Sequence, residues 1–301
     1  MDLYKELCAA AGADHVLADE PMSRHTTFRI GGPADYFVTV SRVEEIREII
    51  GICRRNATAY YIIGNGSDLL VGDKGYRGVI IQIFKRMNDI RVEGERIFVQ
   101  AGALLSKTAA AACEASLTGM EFASGIPGTM GGALRMNAGA YGGEMSQIVE
   151  SADILTVDGE VKTLSVEELG MGYRTSVISR NDFVALGAVL KLAKGDRVAI
   201  RARMEELKEK RIAKQPLEYG SAGSTFKRPE GYFAGKLIED AGLCGYRVGD
   251  AQVSEKHCGF VINRGSATAA EVARLMEDVA DRVEEKFGVR LQPEVKKIGE
   301  F

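Results

Sequence analysis

The chain has 301 residues, a length that predicts two or three domains rather than one hydrophobic core. Its hydrophobic content of 46%, charged content of 27% and net charge of −3 are typical of a soluble globular protein and exclude a broad basic surface for nucleic acid. No stretch stays apolar over the about 18 residues that a membrane span needs, and the charged N-terminus lacks a signal-peptide pattern. We therefore expect a cytoplasmic protein without a nucleic-acid or membrane partner.

The cysteines are odd in number and scattered, and none of them forms a Cys-x-x-Cys motif. They are Cys8, Cys53, Cys113, Cys244 and Cys258. This pattern predicts five reduced thiols that serve mostly for packing. We expect no metal site.

The first third of the chain alternates predicted strands and helices. Ser41-x-x-Glu44 has the pattern of a capping box ahead of an amphipathic helix that contains Ile46 and Ile50. The strand candidates that follow are Tyr60–Ile63, Val79–Ile83 and Ile97–Ala101. An alanine-rich helix is predicted over Leu104–Leu117.

The alternation continues irregularly through the rest of the chain. The predicted elements are a hairpin (Asp153–Val157 and Val161–Leu164), a strand (Val184–Leu192), a charged helix (Val198–Ala213) and a last long helix. The pair Asp158-Gly159 indicates the hairpin turn. Thr268-x-x-Glu271 caps the last helix, and Gly288 ends it. The irregular order favours an α+β architecture over a doubly wound sheet.

The most informative stretch is the glycine-rich segment Gly125–Gly143, which carries almost no charge. Glycine lets a ligand approach the main chain closely, but it costs conformational entropy on folding. Apolar residues such as Ile126, Pro127 and Met130 distinguish the segment from a flexible linker. We predict a bed of free backbone N–H groups for a large, flat or anionic ligand. The alternative is an irregular loop that packs two domains together.

A second glycine turn, Gly64-Asn65-Gly66-Ser67-Asp68, follows the predicted strand at Tyr60–Ile63. Its N–H groups and polar side chains suit a pyrophosphate group, as in other anion-binding nests. The turn fits neither the dinucleotide-binding G-x-G-x-x-G pattern nor the P-loop pattern, and taken alone it is better interpreted as an ordinary turn. Together with the glycine-rich segment, it predicts a two-sided cradle.

Six motifs occur in one order along the chain: RHTTFRIGGPADYFV, IIGNGSDLL, SGIPGTMGGALRMNAGAYGGE, YRTS, GSAGSTFKRP and LQPEV. In this order they resemble the family of UDP-N-acetylenolpyruvoylglucosamine reductases, also called UDP-N-acetylmuramate dehydrogenases. The resemblance runs from about residue 20 to the C-terminus. The short spacing from YRTS to GSAGS resembles the shorter subclass, which lacks an extra tyrosine-bearing loop.

The resemblance implies an α+β fold with a two-part FAD-binding domain of the vanillyl-alcohol oxidase/p-cresol methylhydroxylase type and a C-terminal α+β substrate domain. Residues 1–83 would form the first FAD-binding subdomain, to which residues 289–301 would return. Residues 84–197 would form the second subdomain, and residues 198–288 the substrate domain. FAD would be bound non-covalently, and it suits exposed N–H groups and small residues because it is large, flat and anionic at its centre.

The resemblance also implies the ligand-binding residues. Those for FAD are Arg29, Gly64, Asn65, Gly66, Ser67, Asp68, Ile126, Pro127, Gly128, Gly131, Gly132, Asn137, Ala138, Gly139 and Ala140. Lys214 and Arg228 would bind the substrate or the NADPH phosphates, although each is otherwise a solvated surface charge. His25 stands where many relatives have asparagine, and no chemistry is assigned to it.

Three further residues match catalytic motifs of the family. Arg174 would stabilise a developing enolate, because a guanidinium group has a permanent charge and planar donors. Ser224 would donate a proton to the substrate, which requires a strongly basic carbanion. Glu294 has apolar neighbours, and the burial they imply would raise its pKa so that it carries a proton at neutral pH. From the residues alone, a solvated arginine is favoured for Arg174 and a loop serine for Ser224, and the alternative for Glu294 is a surface carboxylate.

The implied reaction is the NADPH-dependent reduction of UDP-N-acetylglucosamine enolpyruvate to UDP-N-acetylmuramate in peptidoglycan precursor synthesis, by a monomer. Two alternatives remain: a flavin-dependent oxidase of a small alcohol, and a non-catalytic nucleotide-binding module. A Ser/His/Asp hydrolase has little support, because Ser224 lacks the G-x-S-x-G elbow.

Overall fold

A computed structural model describes residues 2–301. The chain forms two compact units, each assembled from three separate stretches of sequence. The first unit contains the chain up to Val16, Val38–Asn65 and Ile80–Arg211, and the second contains Leu17–Phe37, Gly66–Val79 and Ile212–Phe301. The sequence-based division at residues 83, 197 and 288 stays a prediction.

Helices and strands follow one another irregularly, as expected for an α+β fold. The α-helices are α1 (Leu3–Ala11), α2 (Val43–Arg55), α3 (Leu105–Glu114), α4 (Met130–Met136), α5 (Val166–Leu169), α6 (Val177–Arg180), α7 (Arg197–Lys214), α8 (Ala234–Asp240) and α9 (Ala269–Phe287). The strands are β1 (Val16–Pro21), β2 (Pro33–Thr39), β3 (Tyr60–Ile63), β4 (Leu69–Val71), β5 (Tyr76–Gln82), β6 (Ile90–Glu93), β7 (Arg96–Gln100), β8 (Leu117–Thr118), β9 (Gly139–Ala140), β10 (Gly143–Glu144), β11 (Val149–Leu155), β12 (Val161–Ser165), β13 (Val184–Lys191), β14 (Ala193–Lys194), β15 (Arg247–Val248), β16 (Ala251–Val253), β17 (Val261–Asn263) and β18 (Lys296–Ile298).

The first unit is built on a five-stranded antiparallel sheet with the order β12-β11-β13-β7-β6. Its central strand, β13, is apolar and buried over most of its length, and α4 packs against β13 and β7. The hairpin predicted around Asp158-Gly159 is confirmed as β11 and β12. A further sheet has the order β1-β2-β5-β3, and its strands β2 and β5 contain positions where the chain passes from one unit to the other.

The second unit has a three-stranded antiparallel sheet, β15-β16-β17, covered by α9. As predicted, Thr268 and Glu271 form a capping box at the start of α9, and Gly288 ends the helix with a φ of 68°. Its buried face packs into the core of this unit with Val272, Leu275, Met276, Val279 and Val283. Burial of this face stabilises the helix more than its intrinsic propensity does. Strand β18 pairs in parallel with β4.

The predicted capping box of α2 needs a correction. Helix α2 begins at Val43, but Ser41 bonds to Glu45 rather than to Glu44: its N–H donates to Oε2 of Glu45 at 2.7 Å. The N-cap residue is Arg42, whose side chain makes no capping hydrogen bond. Glu45 faces the protein and is 5% exposed, whereas Glu44 is exposed, so only Glu45 reaches back to Ser41.

The expectation of five reduced thiols is wrong for two of them. Cys244 and Cys258 form a disulfide, with their Cα atoms 5.5 Å apart. The chain between them folds back through β15 and β16, so residues 14 positions apart become neighbours. The other three cysteines are free. Burial raises the pKa of Cys53 to about 11, so this thiol stays protonated and unreactive at neutral pH.

We expect the double variant Cys244→Ser/Cys258→Ser to lose about 3 kcal/mol of its free energy of unfolding, because an open loop of about 15 residues gains conformational freedom in the unfolded chain. Urea unfolding without reductant, followed by circular dichroism, measures this loss. Cys8→Ser is the matched control, since Cys8 is a free thiol, and it should change the free energy by less than about 0.5 kcal/mol. Coincident curves for the parent and the double variant would contradict a disulfide in solution.

Candidate functional site

A cleft in the first unit brings the two glycine segments together. Gly64 from the first turn and Thr129, Gly131 and Gly132 from the glycine-rich segment line the same cleft. The segments are also joined directly, as Nδ2 of Asn65 donates to the carbonyl oxygen of Pro127 at 3.2 Å. The two halves of the cradle expected from the sequence are therefore neighbours.

Small residues shape this cleft in different ways. A Cβ atom at Gly64 would lie 2.2 Å from Oγ1 of Thr129, so only glycine permits this approach. At Gly131 the added atom would lie 3.1 Å from Cβ of Ala101. At Gly132 the nearest neighbour would be 3.7 Å away, an ordinary contact. Gly132 therefore leaves space in the cleft itself, whereas Gly64 and Gly131 allow neighbouring residues to pack closely.

The predicted bed of free N–H groups is wrong for part of the glycine-rich segment. Residues Met130–Met136 form helix α4 instead of an extended bed. The N–H groups of Met130 and Gly131 donate to the carbonyl oxygens of Ala103 and Ala101, both at 2.8 Å. These donors are used inside the protein and are not available to a ligand.

Other glycines of the segment serve internal packing. A Cβ atom at Gly143 would lie 2.5 Å from the ring of Phe122, and one at Gly139 would lie 2.7 Å from the carbonyl oxygen of Gly143. Both residues belong to the short hairpin of β9 and β10. Composition alone does not separate these glycines from Gly132.

Asn137 ends α4 in a left-handed conformation, with a φ of 47°. Its Oδ1 accepts the N–H of Ser146 at 2.9 Å. Its Nδ2 is buried, and within residues 2–301 it donates to no group. A buried donor without an acceptor costs about 1–3 kcal/mol, so this amide fits an acceptor that a bound ligand supplies.

Gly66, Ser67, Asp68 and Arg29 belong to the second unit. Gly66 has a φ of 62°, and a Cβ atom there would lie 2.1 Å from the carbonyl oxygen of His25. Arg29 is exposed and has a φ of 57°, an uncommon conformation for a residue other than glycine. The first glycine turn thus spans the point where the chain leaves the first unit.

His25 has a structural role. Its ring stacks on Phe37 with 3.9 Å between the ring centroids, and its Nε2 lies 2.9 Å from Oε1 of Glu20. These contacts account for the ring without any chemistry.

The second unit brings Ser224 and Glu294 close together. The N–H of Glu294 donates to the carbonyl oxygen of Thr225 at 2.9 Å, and Phe226 forms an antiparallel bridge with Pro293. Glu294 therefore pairs with Thr225, the residue that directly follows Ser224. The structure joins two motifs that are far apart in sequence.

The surroundings of these two side chains differ. Ser224 is exposed and follows Gly223, whose φ is 75°. Glu294 is 7% exposed, between Leu291 and Val295, which are both buried. The burial expected from its apolar neighbours is therefore confirmed. The backbone pairing therefore brings an exposed residue that carries a hydroxyl and a buried residue that carries a carboxyl into neighbouring positions.

Thr225 fixes the segment that carries Ser224. Its N–H donates to the carbonyl oxygen of Gly259 at 2.8 Å, and its Oγ1 accepts the N–H of Val261 at 2.9 Å. Thr225 is 1% exposed. Ser224 thus directly precedes an anchored residue and does not lie in a free loop.

Arg174 lies in the first unit, on a tight turn before α6. Gly172 and Thr175 close the turn with backbone hydrogen bonds of 3.0 and 3.2 Å, and Arg174 has a φ of 55°. The guanidinium carbon lies 5.2 Å from the centroid of the Tyr173 ring. Arg174 is thus half-buried and lies in a left-handed turn, an uncommon conformation for a residue other than glycine.

Lys214 and Arg228 are exposed in the second unit. The guanidinium carbon of Arg228 lies 3.9 Å from the centroid of the Phe233 ring. Burial lowers the pKa of His257, and the charge of Lys214 lowers it further. Gln215, next to Lys214, has a buried Oε1 that accepts no hydrogen bond within residues 2–301.

Sequence reasoning missed several of these residues. It passed over Thr129 and Arg135, which line the cleft, as well as Gln215 and His257. Thr129 and Arg135 lie inside the glycine-rich segment, so reading every polar residue of that segment would have found them. No signal in the sequence marks His257.

Two further properties concern the whole described chain. Within residues 2–301, no group of histidine, cysteine and carboxylate side chains could hold a metal ion. No helix in the same range is both long and apolar enough to span a bilayer.

The sequence matches two family descriptions, "FAD binding domain" over residues 34–165 and "UDP-N-acetylenolpyruvoylglucosamine reductase, C-terminal domain" over residues 215–298. It is 54% identical over 300 residues to the UDP-N-acetylenolpyruvoylglucosamine reductase of Agathobacter rectalis, and the match covers 95% of each chain. Among solved structures, it is similar to the UDP-N-acetylenolpyruvylglucosamine reductase of Thermus caldophilus, with a TM-score of 0.80 and 35% identity over 94% of this chain and 98% of the other.

A more distant likeness concerns the fold alone. The 4-ethylphenol oxidase of Gulosibacter chungangensis has a TM-score of 0.50 at 16% identity, over 97% of this chain and 64% of the other. The predicted α+β fold with an FAD-binding domain of the vanillyl-alcohol oxidase/p-cresol methylhydroxylase type is confirmed. The chain belongs to the UDP-N-acetylenolpyruvoylglucosamine reductase family and is an FAD-dependent oxidoreductase.

Proposed function

We propose that the protein reduces UDP-N-acetylglucosamine enolpyruvate to UDP-N-acetylmuramate, with NADPH as the reductant, in peptidoglycan precursor synthesis. The identities of 54% and 35% to named reductases support this reaction over an alcohol oxidase or a binding module. The observation that carries the proposal is the position of an accessible Ser224 beside the buried Glu294. That the enzyme acts as a cytoplasmic monomer, without nucleic-acid or membrane partners, stays a prediction.

FAD fits the cleft of the first unit. Gly132 leaves space in it, and the unpartnered Nδ2 of Asn137 matches a cofactor acceptor. Both residues lie within the matched range 34–165. When bound, FAD supplies hydride transfer, which no side chain of the chain can perform. Asn65, Ile126–Gly128 and Ala138–Ala140 would contribute further contacts, and the roles of Arg29, Gly66, Ser67 and Asp68 rest on the resemblance.

The proposed catalytic residues act on the substrate. Hydride addition at C3 of the enolpyruvyl group leaves negative charge at C2 and its carboxylate. Arg174 would stabilise this charge through its permanent positive charge. Ser224 would then donate its hydroxyl proton to C2. Glu294 would act on the same developing charge, as the resemblance implies, from its buried position next to Thr225. Lys214 and Arg228 would bind phosphate groups.

In Ser224→Ala, we expect NADPH to reduce the flavin as fast as in the parent. The enolpyruvate substrate should reoxidise the flavin about 100- to 10,000-fold more slowly, because the variant lacks the proton donor. Anaerobic stopped-flow absorbance of the flavin measures both half-reactions. Ser221→Ala, in the same motif, is the matched control and should keep both rates.

This experiment also tests the proposed reaction. The parent's flavin should bleach with NADPH and recover with the enolpyruvate substrate, whereas an oxidase would recover with oxygen and a binding module would not bleach. If Ser224→Ala slowed both half-reactions equally, the proposed role of Ser224 as the proton donor would be contradicted.

We expect Glu294→Gln to slow the reoxidation step at least about 100-fold, with flavin reduction by NADPH unchanged. Glutamine has the same shape, so folding should be retained, but its amide cannot carry the proton. Stopped-flow traces measure the effect, with Glu300→Gln as an exposed control. A Glu294→Gln trace that superimposes on the parent's would rule out the assignment.

We expect Gly132→Leu to weaken FAD binding more than about tenfold, because the added side chain enters the cleft. Gly132→Ala is the matched control: its Cβ meets no atom closer than 3.7 Å, and alanine stabilises a helix by about 0.5–1 kcal/mol relative to glycine. Fluorescence titration of the apoproteins with FAD measures the affinities, and thermal unfolding monitors the fold. Parental affinity in a folded Gly132→Leu variant would place the cofactor elsewhere.

A further inference from the structure

The Cys244–Cys258 disulfide joins two turns of the second unit. Cys244 is exposed and lies between α8 and β15, whereas Cys258 is half-buried and lies between β16 and β17. The other cysteines are all free, and Cys53 and Cys113 are buried. A disulfide with an exposed end is open to attack by a thiolate, and exposed disulfides are the labile ones in proteins. In a reducing compartment such as the predicted cytoplasm, protein disulfides are usually transient, catalytic or redox-sensing.

Cys258 directly precedes the residue that anchors Thr225. The carbonyl oxygen of Gly259 accepts the N–H of Thr225 at 2.8 Å, and Ser224 is the residue before Thr225. Gly259 is buried, and a Cβ atom there would lie 2.9 Å from Cε1 of His257, so the turn is tightly packed at this point. The path from the disulfide to Ser224 therefore contains a single non-covalent link.

Each of the two turns also has hydrogen bonds of its own. The N–H of Gly245 donates to the carbonyl oxygen of Val253 at 3.0 Å, which holds the first turn against β16. The N–H of His257 donates to Oγ of Ser254 at 3.3 Å, which closes the second turn. Opening the disulfide therefore loosens the second turn locally and leaves the unit folded.

We propose that Cys244 and Cys258 form a reversible redox site that a dithiol reductant opens, and that the state of this site sets the position of Ser224. One thiolate of the reductant attacks Sγ of Cys244, the bond between the two cysteine sulfurs breaks, and Cys258 leaves as a thiolate that takes up a proton. The second thiol of the reductant attacks the mixed disulfide and releases Cys244 as a thiol. The protein gains two electrons and two protons, and the reductant becomes a disulfide.

The redox state reaches Ser224 through the Gly259–Thr225 hydrogen bond. Without the covalent link, the segment around Gly259 has more conformational freedom, and Thr225 is anchored less firmly. A proton donor that is held less firmly spends less time in the reactive geometry, so proton transfer is slower. This consequence rests on the proposed function, in which Ser224 protonates the substrate, whereas the redox chemistry of the cysteine pair does not.

The first experiment measures the redox chemistry in the FAD-loaded protein. Samples treated with oxidised or reduced dithiothreitol are denatured rapidly and alkylated with iodoacetamide, and mass spectrometry locates the labels. Cys244 and Cys258 should carry labels only after the reduced reagent, and should lose them again when the oxidised reagent follows. The three free cysteines should be labelled in every sample and serve as internal controls. A pair that is labelled in all samples, or in none, overturns the proposal.

The second experiment tests the link to Ser224. The oxidised and reduced forms of the parent, freed of dithiothreitol, are compared by anaerobic stopped-flow absorbance of the flavin. We expect NADPH to reduce the flavin at the same rate in both forms, and the enolpyruvate substrate to reoxidise it about three- to tenfold more slowly in the reduced form. Cys244→Ser/Cys258→Ser should match the reduced form under both conditions. Cys8→Ser is the matched control and should keep the difference between the two forms.

Equal rates of reoxidation in the two redox forms would contradict the link to Ser224, as would an equal slowing of both half-reactions. The comparison of the parent's two forms needs no variant, so it decides the question even if the double variant fails to fold. A failure of the proposed function gives a different result. In that case the enolpyruvate substrate reoxidises the flavin in neither form, while the labelling experiment still decides whether the redox site exists.

Discussion

The hydrogen bond from the N–H of Glu294 to the carbonyl oxygen of Thr225 is the contact on which the candidate catalytic site of the second unit depends. It places a buried carboxyl beside a segment that carries an accessible hydroxyl. Phe226, Leu291 and Val295 are buried around it, so the pairing is part of the hydrophobic core. Because the same contact serves stability and chemistry, this part of the core should tolerate little change in volume.

Much of the fold follows from local patterns in the sequence. The helix that Thr268 caps and Gly288 ends was predicted because a capping box, an apolar stripe and a left-handed glycine are all local signals. The predicted partner of Ser41 was Glu44, one residue before the true partner Glu45, because the partner depends on which glutamate faces the core. The Cys244–Cys258 pair was missed, because its contact exists only after β15 and β16 have folded back. Contacts of this kind do not produce a pattern of fixed spacing in the sequence.

The candidate site was predictable as a set of motifs but not as a set of contacts. The two glycine segments and the motifs of Ser224 and Glu294 were recognised. The sequence did not show which glycines pack against other parts of the protein and which leave space in the cleft. Gly143 makes room for a ring of the protein, whereas Gly132 leaves space in the cleft, and both look alike in the sequence. The unpartnered donor of Asn137 becomes visible only once burial and hydrogen bonding are known.

The parallel pairing of β4 with β18 has a consequence for how the protein is made. Strand β4 (Leu69–Val71) cannot form this pairing until the ribosome has added Lys296–Ile298, more than two hundred residues later. A pairing across so long a stretch closes slowly, because loop entropy must be lost before the contact forms. The second unit therefore completes its fold late in synthesis, and nascent chains that stop short of β18 leave β4 without its parallel partner.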